Sequence, residues 1–318
     1  MGNSGGEWVQ SAVAARPFLK WAGGKGQLIS QYQPYFPTHF KTYCEPFLGG
    51  GAIFFHLASQ SASPENSACV SSRLIDINAE LVNVYCCVRD YPEALIQCLT
   101  HHQANHCKAY YYQIRANSYS TPLERAARLI YLNKTCFNGL YRENSKGQFN
   151  VPIGRYKNPK ICDANLLRVA ACVLKSVEIL QAGFDIVEQY ARGADDFVYF
   201  DPPYHPISAT SSFTGYNRYS FKVADQERLQ QTFATLANRG VQVMLSNSDC
   251  EFIRQLYHGF HMHEMQASRS INAKAKRRGK IAELLITSYP VNHTRILEAS
   301  NSQPVSCQSV PATAIAAT

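Results

Sequence analysis

Short apolar runs alternate along the chain with stretches of helical periodicity. The apolar runs predict seven strands: Thr42–Glu45, Arg73–Asp76, Val177–Leu180, Phe197–Phe200, Val241–Ser246, His261–Met265 and Ile281–Tyr289. Apolar residues at helical spacing predict eight helices: Ala52–Ser59, Ala79–Val88, Pro92–His102, Pro122–Thr135, Asn165–Lys175, Ile186–Ala191, Ala224–Asn238 and Glu251–His258. This alternation is typical of a mostly parallel sheet with helices on both faces.

Two segments depart from the alternation. A basic loop with little helical signal separates the last two strands, which predicts an antiparallel hairpin at the sheet edge. Residues 136–160 mix Gly, Pro and Asn with aromatic and basic residues and predict a long functional loop or a hairpin. We therefore expect a doubly wound α/β sheet with an edge hairpin and a helical insertion.

The same pattern suggests domain boundaries. Residues 1–15 and 291–318 are rich in small and polar residues without periodicity, and we expect both to be disordered tails. The strands divide between residues 16–90 and 176–290, which together predict one discontinuous domain. Residues 91–175 then form the helical insertion.

Composition excludes several classes of protein. The chain is 46% hydrophobic and 17% charged, so it can bury a core. It has no apolar run long enough for a membrane helix and no secretory signal pattern, so we expect no membrane contact. Eleven cysteines without a CxxC pair favour the reducing cytoplasm. His261 and His263 lack a third ligand nearby, and we predict no metal site.

The net charge of +8 is concentrated in one segment. Residues 125–175 hold ten basic and two acidic residues, so the rest of the chain is neutral. A neutral body with one basic segment favours contact with a polyanion at that segment. A solvated basic loop is the alternative.

A glycine-rich turn follows the first predicted strand. The segment EPFLGGG, residues 45–51, leads into a helix, and Asp76 ends the next strand. Ligands of doubly wound sheets bind beyond the carboxyl ends of strands, where an acid can accept both ribose hydroxyls. The dinucleotide fingerprint GxGxxG is absent, so Phe47, Gly49, Gly51 and Asp76 favour a nucleoside cofactor without a pyrophosphate. A tight strand–helix turn explains the glycines equally well.

The segment DPPY, residues 201–204, follows the apolar strand FVYF. Its two prolines remove backbone donors, which leaves the Asp201 carboxylate and proline carbonyls such as that of Pro202 as acceptors. Two such acceptors would bind a planar amino group and aim its lone pair at an electrophile, while Tyr204 stacks on the ring. The pattern is typical of methylation of a base or amide nitrogen.

A third segment, FLKWAGGK, lies near the start of the chain at residues 18–25. Trp21 offers an aromatic face and Lys25 a cation for a carboxylate. An exposed tryptophan at the entry to a helix is the alternative interpretation.

Together these segments resemble the Dam/DpnM-type DNA adenine-N6 methyltransferases, the alpha class with a DPPY motif. The resemblance runs from about Pro17 to Ser288, in the family's order. The segments that carry it are FLKWAGGK, EPFLGGGA, RLIDIN, NGLYRENSKGQFNVPIGRYKNPK, FVYFDPPY, SFTGY, VMLSNS and RGKIAELLIT. The resemblance implies a Rossmann-like methyltransferase sheet and S-adenosylmethionine as the cofactor.

The resemblance also implies roles for single residues. Trp21 would contact adenosine, Lys25 the methionine carboxylate and Asp76 the ribose. Asp201 would be the catalytic acid close to the methyl donor, and Tyr204 would stack on a flipped adenine. The residues implied to read a GATC site are Lys20, Leu140, Arg142, Asn144 and Pro152. Those implied to fill the gap left by the flipped base or to contact the DNA backbone are Phe137, Asn138 and Arg155. Apart from the resemblance, the charge of Lys157 favours contact with phosphates.

The sequence thus predicts an S-adenosylmethionine-dependent enzyme that methylates adenine N6 in double-stranded DNA, within GATC. An amino-methyltransferase acting on RNA or a protein amide is one alternative, and a catalytically silent DNA-binding protein is another. A partner restriction endonuclease is compatible with this prediction. The sequence does not distinguish restriction–modification from solitary methylation and does not indicate an oligomeric state.

Overall fold

The computed structural model describes residues 14–61, 71–207, 221–268 and 280–291. The predicted tails fall almost entirely outside these residues, as do the segment SFTGY and most of the last basic loop. The strands are β1 Thr42–Glu45, β2 Ser71–Asp76, β3 Glu178–Gln181, β4 Asp196–Phe200, β5 Gln242–Ser248, β6 His261–Ser268 and β7 Lys280–Thr287. The helices are α1 Ile29–Tyr32, α2 Ala52–Ser61, α3 Ala79–Asp90, α4 Pro92–Ala104, α5 Lys108–Ala116, α6 Pro122–Thr135, α7 Ala164–Leu174, α8 Val187–Tyr190, α9 Val223–Asn238 and α10 Glu251–Leu256.

The described strands form one mixed sheet in the order β3-β2-β1-β4-β5-β7-β6. The strands from β3 to β5 are parallel, while β7 pairs antiparallel with both β5 and β6. The predicted doubly wound sheet with an antiparallel edge hairpin is confirmed. The strand order reverses between β1 and β4, and ligands of open α/β sheets bind at such a switch point.

Burial on both faces explains why the central strands read as continuous apolar runs. Every residue from Phe197 to Phe200 in β4 is fully buried. Phe197 and Tyr199 belong to one hydrophobic core, and Val198 and Phe200 belong to another. Alternate side chains of a strand point to opposite faces, so β4 separates two helix-covered layers.

Helix α6 packs on α3, the helix that follows β2. Asn83 Nδ2 on α3 donates to the Pro122 carbonyl at the start of α6, 2.8 Å away. Arg125 on α6 forms an ion pair with Glu80 on α3. No helix within the described ranges is long and apolar enough to cross a membrane.

Helices α1 and α5 were not predicted from the sequence. Helix α1 has only four residues, and in α5 only Tyr111 and Ile114 are buried, so its apolar periodicity is limited to one pair of residues. The predicted helix Ile186–Ala191 is instead a 3₁₀ turn, Phe184–Ile186, followed by the short α8. The other predicted elements end within three residues of the observed ends.

Substitution by alanine should cost more at Gly51, in the turn after β1, than at Gly240, in the turn before β5. Gly51 has φ +67° and a Cβ there would lie 2.8 Å from the hydroxyl of the fully buried Tyr85, whereas Gly240 has φ +82° and open space. Gly240→Ala should cost about 1–2 kcal/mol, the penalty of a left-handed backbone. Gly51→Ala should cost at least about 1 kcal/mol more, because the clash adds to the same penalty. Urea unfolding measures both; equal costs would contradict the packing argument.

Candidate active site and nucleic-acid interface

The glycine turn brings three predicted cofactor residues together. The Gly49 N–H donates to Asp76 Oδ2 at 3.1 Å, and the Asn78 N–H donates to Oδ1 at 2.9 Å. Gly49 has φ +48°, and a Cβ there would lie 2.9 Å from Cδ1 of the Trp21 ring. Trp21, the glycine turn and Asp76 therefore share one site at the carboxyl ends of β1 and β2.

A buried ion pair lies at the end of β4. Lys25 Nζ is 2.7 Å from Asp201 Oδ1, and the lysine residue is only 4% exposed. Ser246 Oγ, on the neighbouring β5, donates to the same Asp201 oxygen at 2.9 Å. Among the described residues both contacts fall on Oδ1, which leaves Oδ2 as an acceptor for a ligand.

The carbonyls of the two prolines differ in their availability. Gln226 Nε2 donates to the Pro203 carbonyl at 3.0 Å. Within the described part of the chain, the Pro202 carbonyl has no such donor. Of the acceptors predicted from DPPY, Asp201 Oδ2 and the Pro202 carbonyl therefore remain available for an amino group.

Tyr204 is held by a residue that the sequence did not suggest. Its hydroxyl donates to Glu283 Oε2 on β7 at 2.7 Å, and Lys25 Nζ lies 4.8 Å from the centre of its ring. The edge hairpin thus contributes a carboxylate to the site. A long-range contact of this kind leaves no local signal in the sequence.

Lys25 has a partner that the resemblance did not indicate. The resemblance implies the methionine carboxylate of the cofactor as the partner of its ammonium, and the structure places Asp201 and the Gly23 carbonyl on it, the latter at 2.8 Å. An ammonium has three donors, so one N–H is left for a further acceptor.

Glu45 is a second buried carboxylate near this ion pair. Its Oε2 accepts from the Tyr43 hydroxyl at 2.8 Å and from the Phe54 N–H at 3.1 Å. The second bond satisfies a free donor in the first turn of α2. Burial raises the pKa of Glu45 to about 8, and the charge of Asp201 acts in the same direction.

The predicted DNA-contacting residues Lys20, Phe137, Asn138 and Pro152 lie close together in the structure. The side chain of the buried Asn133 makes three bonds there: it accepts from the Lys20 N–H at 2.9 Å and donates to the carbonyls of Lys20 at 2.6 Å and of Gly139 at 3.1 Å. The Phe137 N–H donates to the Pro152 carbonyl at 2.9 Å.

Several of these residues are exposed. Phe137 is 48% exposed, and Asn138 has φ +56°, a left-handed conformation that asparagine tolerates better than most residues. Lys20, Asn138, Pro152, Arg155 and Lys157 are exposed as well.

Residues 141–150 form a small hairpin that we call the recognition hairpin. The Asn150 N–H donates to the Arg142 carbonyl at 3.0 Å, and Arg142 Nε donates to Asn150 Oδ1 at 2.7 Å. Asn144 Oδ1 accepts from the N–H groups of Lys146 and Gln148, each at 3.0 Å, and so closes the turn. Arg142 and Asn144 are the two predicted base-reading residues within this hairpin, and hydrogen bonds within the hairpin orient both side chains.

Comparison with known proteins identifies the family. The family model for D12 class N6 adenine-specific DNA methyltransferases matches residues 21–271. The chain belongs to this family. It is therefore an enzyme that methylates adenine in DNA and uses S-adenosylmethionine as the methyl donor.

Three relatives match nearly their whole length. Type II methyltransferase M1.LlaDCHI of Lactococcus lactis subsp. cremoris is 43% identical over 288 residues, 88% of this chain and 98% of that protein. Type II methyltransferase M.MjaIII of Methanocaldococcus jannaschii is 43% identical over 296 residues, 87% and 100% of the two chains. The DNA adenine methylase of Escherichia coli (strain K12) is 36% identical over 286 residues, 86% and 96% of the two chains.

The site at the ends of β1 and β2 fits the nucleoside part of S-adenosylmethionine. Asp76 accepts backbone N–H bonds from Gly49, Ile77 and Asn78, and an ionised carboxylate has about four lone-pair sites, so one is left that would accept a ribose hydroxyl. Phe47 stacks on Phe184 at 5.6 Å, and Ile77 beside Asp76 is 49% exposed, so both offer apolar surface to a purine. Ile77 was not predicted, because an exposed isoleucine after a strand has no distinctive sequence signal.

The raised pKa of Glu45 predicts a pH dependence of methyltransferase stability. Folding favours the protonated form of the Glu45 carboxyl. The stabilisation that this group contributes to the folded state is therefore complete below about pH 4.5 and is lost as the pH rises towards 8. Between pH 5 and 8 the wild type should lose up to about 1.4 kcal/mol per pH unit more than Glu45→Gln. Urea unfolding at each pH measures this difference, with exposed Glu227→Gln as the matched control. Identical slopes for the wild type and Glu45→Gln would refute the assignment.

Proposed function

We propose that this methyltransferase modifies N6 of an adenine flipped out of double-stranded DNA, within the sequence GATC. The arrangement of Asp201 Oδ2 and the Pro202 carbonyl next to Tyr204 carries the proposal. These two acceptors would bind the two hydrogens of an exocyclic amino group, and the tyrosine ring offers a surface for the base. An enzyme cannot reach this group inside a duplex, so the nucleotide must leave the stack.

The side chains around Asp201 would position the amine for direct transfer. Hydrogen bonds from the amino group to Asp201 and Pro202 draw the nitrogen lone pair out of conjugation with the ring. Lys25 and Ser246 hold Asp201 through Oδ1, and Glu283 holds the Tyr204 hydroxyl. S-adenosylmethionine supplies an electrophilic methyl group on its sulfonium when bound. Orientation of the two reactants would contribute to the rate enhancement in such a site.

The recognition surface supports the proposed target. Residues 91–175 form the target-recognition insertion in this proposal, and residues 16–90 and 176–290 form the catalytic domain. Phe137 and Asn138 are exposed at one turn, as residues that fill the gap left by a flipped base must be. Arg142 is the candidate for guanine, because a guanidinium matches the two acceptors of its major-groove edge.

We also propose a cytoplasmic setting and a partner endonuclease. Nine cysteines lie within the described residues, and all have free thiols, which favours a reducing compartment. Two relatives at 43% identity are named Type II methyltransferases, whereas the DNA adenine methylase of Escherichia coli is 36% identical. This difference favours restriction–modification with a nuclease that cuts the same site.

Digestion of plasmid DNA tests the proposed target. The plasmid is prepared from a host without adenine methylation that expresses this chain. It should be cut by a nuclease that needs methylated GATC and protected from one that methylation blocks. Asp201→Asn should reduce transfer at least about 100-fold, because the Lys25 and Ser246 donors would hold the amide oxygen and turn the Nδ2 donor, in place of an acceptor, toward the amine. Soluble wild-type protein that leaves GATC unmodified would refute the proposed site.

Substitutions at Arg142 and Lys157 should separate base reading from backbone contact. Arg142→Ala should lower affinity for the cognate duplex about 5- to 150-fold and relax discrimination at one base pair. Lys157→Ala should weaken all duplexes alike and reduce the slope of log affinity against log salt by about one. Binding to cognate and single-mismatch duplexes over a range of salt measures both effects. Uniform loss in both variants would contradict the division of roles.

A further inference from the structure

The cofactor site and the recognition hairpin share an aromatic contact. The rings of Trp21 and Tyr141 are stacked, with centroids 5.4 Å apart and planes 26° apart. Trp21 lies against the glycine turn that holds Asp76. Tyr141 lies between Leu140 and Arg142, both predicted to read bases.

Tyr141 also lies inside the hairpin framework. Its ring meets the buried Phe149 edge-on, with centroids 5.9 Å apart, and its hydroxyl donates to the Glu143 carboxylate. Glu143 and Phe149 form a backbone bridge across the hairpin. Trp21, Tyr141 and Phe149 therefore form a continuous aromatic column from the cofactor site into the recognition hairpin.

The hairpin has free space on another flank. A cavity of about 620 Å³ separates it from α3 and α6, and the residues that line the cavity include Asn78, Arg128, Tyr141 and Asn150. Close packing does not hold the hairpin on this side. Beside this cavity Tyr141 links the hairpin to the cofactor site, through its ring on Trp21 and through a side-chain hydrogen bond with Asn78.

We propose that Tyr141 is a positioning residue that couples cofactor binding to sequence recognition through its stack on Trp21. The proposal rests on the proposed function, since it takes Trp21 as a cofactor contact and the hairpin as a reader of bases. A ligand that fixes the Trp21 ring would fix Tyr141 and, with it, the direction in which Arg142 projects. Neither the family comparison nor the motif resemblance assigns this role to Tyr141.

Coupling between two sites is reciprocal. Target duplex should tighten cofactor binding by the same factor by which cofactor tightens duplex binding. One aromatic stack sets the expected size of this factor at about 2- to 10-fold. A residue that merely supports the fold would weaken both ligands without changing their mutual dependence.

The test measures the coupling factor in matched variants. The affinity for S-adenosylhomocysteine is measured with and without a GATC duplex, and the duplex affinity with and without S-adenosylhomocysteine. Tyr141→Phe keeps the ring and should keep the factor. Tyr141→Leu and Tyr141→Met remove the ring and should bring the factor to about 1, with reduced discrimination between GATC and single-mismatch duplexes. A wild-type factor of 1, or an unchanged factor in both ring-free variants, would overturn the proposal.

Fluorescence offers a second readout of the same contact. The chain has two tryptophans, Trp8 and Trp21, so a Trp8→Phe background leaves Trp21 as the single emitter. Addition of GATC duplex should change Trp21 emission when Tyr141 is present and leave it unchanged in Tyr141→Leu. An equal change in both would refute the coupling. Failure of the wild type to methylate GATC in plasmids refutes the proposed function instead, so the two failures are distinct.

Discussion

The buried ion pair between Lys25 and Asp201 joins two segments that are far apart in the sequence. Removal of either charge would leave the other uncompensated in a largely buried site, which is strongly destabilising. The pair holds the segment with Trp21 over the carboxyl ends of β1 and β4. The glycine turn, the Asp76 carboxylate and the stack on Tyr141 all lie next to that segment, which the bonds from Asn133 to Lys20 hold from the other end.

The fold was largely predictable from the chain itself. A strand buried on both faces, such as β4, must be apolar throughout, and a carboxyl end marked by Asp201 and two prolines is easy to locate. Helix α6 was predicted with its observed ends because Pro122 begins it and a loop-forming segment follows. Helix α5 was missed because its buried face consists of Tyr111 and Ile114 alone.

The partners within the site were less predictable, because they come from distant segments. Asn133 and Lys20 are separated by 113 positions, and Tyr204 and Glu283 by 79. The resemblance predicts which residues belong to the site but not which of their atoms remain available to a ligand. The Pro203 carbonyl is taken by Gln226, and the Asn144 amide oxygen closes a turn. Such assignments depend on geometry that no local pattern records.

The position of β7 has a consequence for how the protein is made. This strand comes late in the sequence but pairs in the interior of the sheet, between β5 and β6. Until residues beyond 287 have left the ribosome, β5 has an open edge of unpaired backbone groups, and such edges promote aggregation. Glu283 arrives with the same strand. A nascent chain therefore cannot form the contact between Tyr204 and Glu283 until β7 has joined the sheet. The site is completed only when the last strand of the folded core has been synthesised.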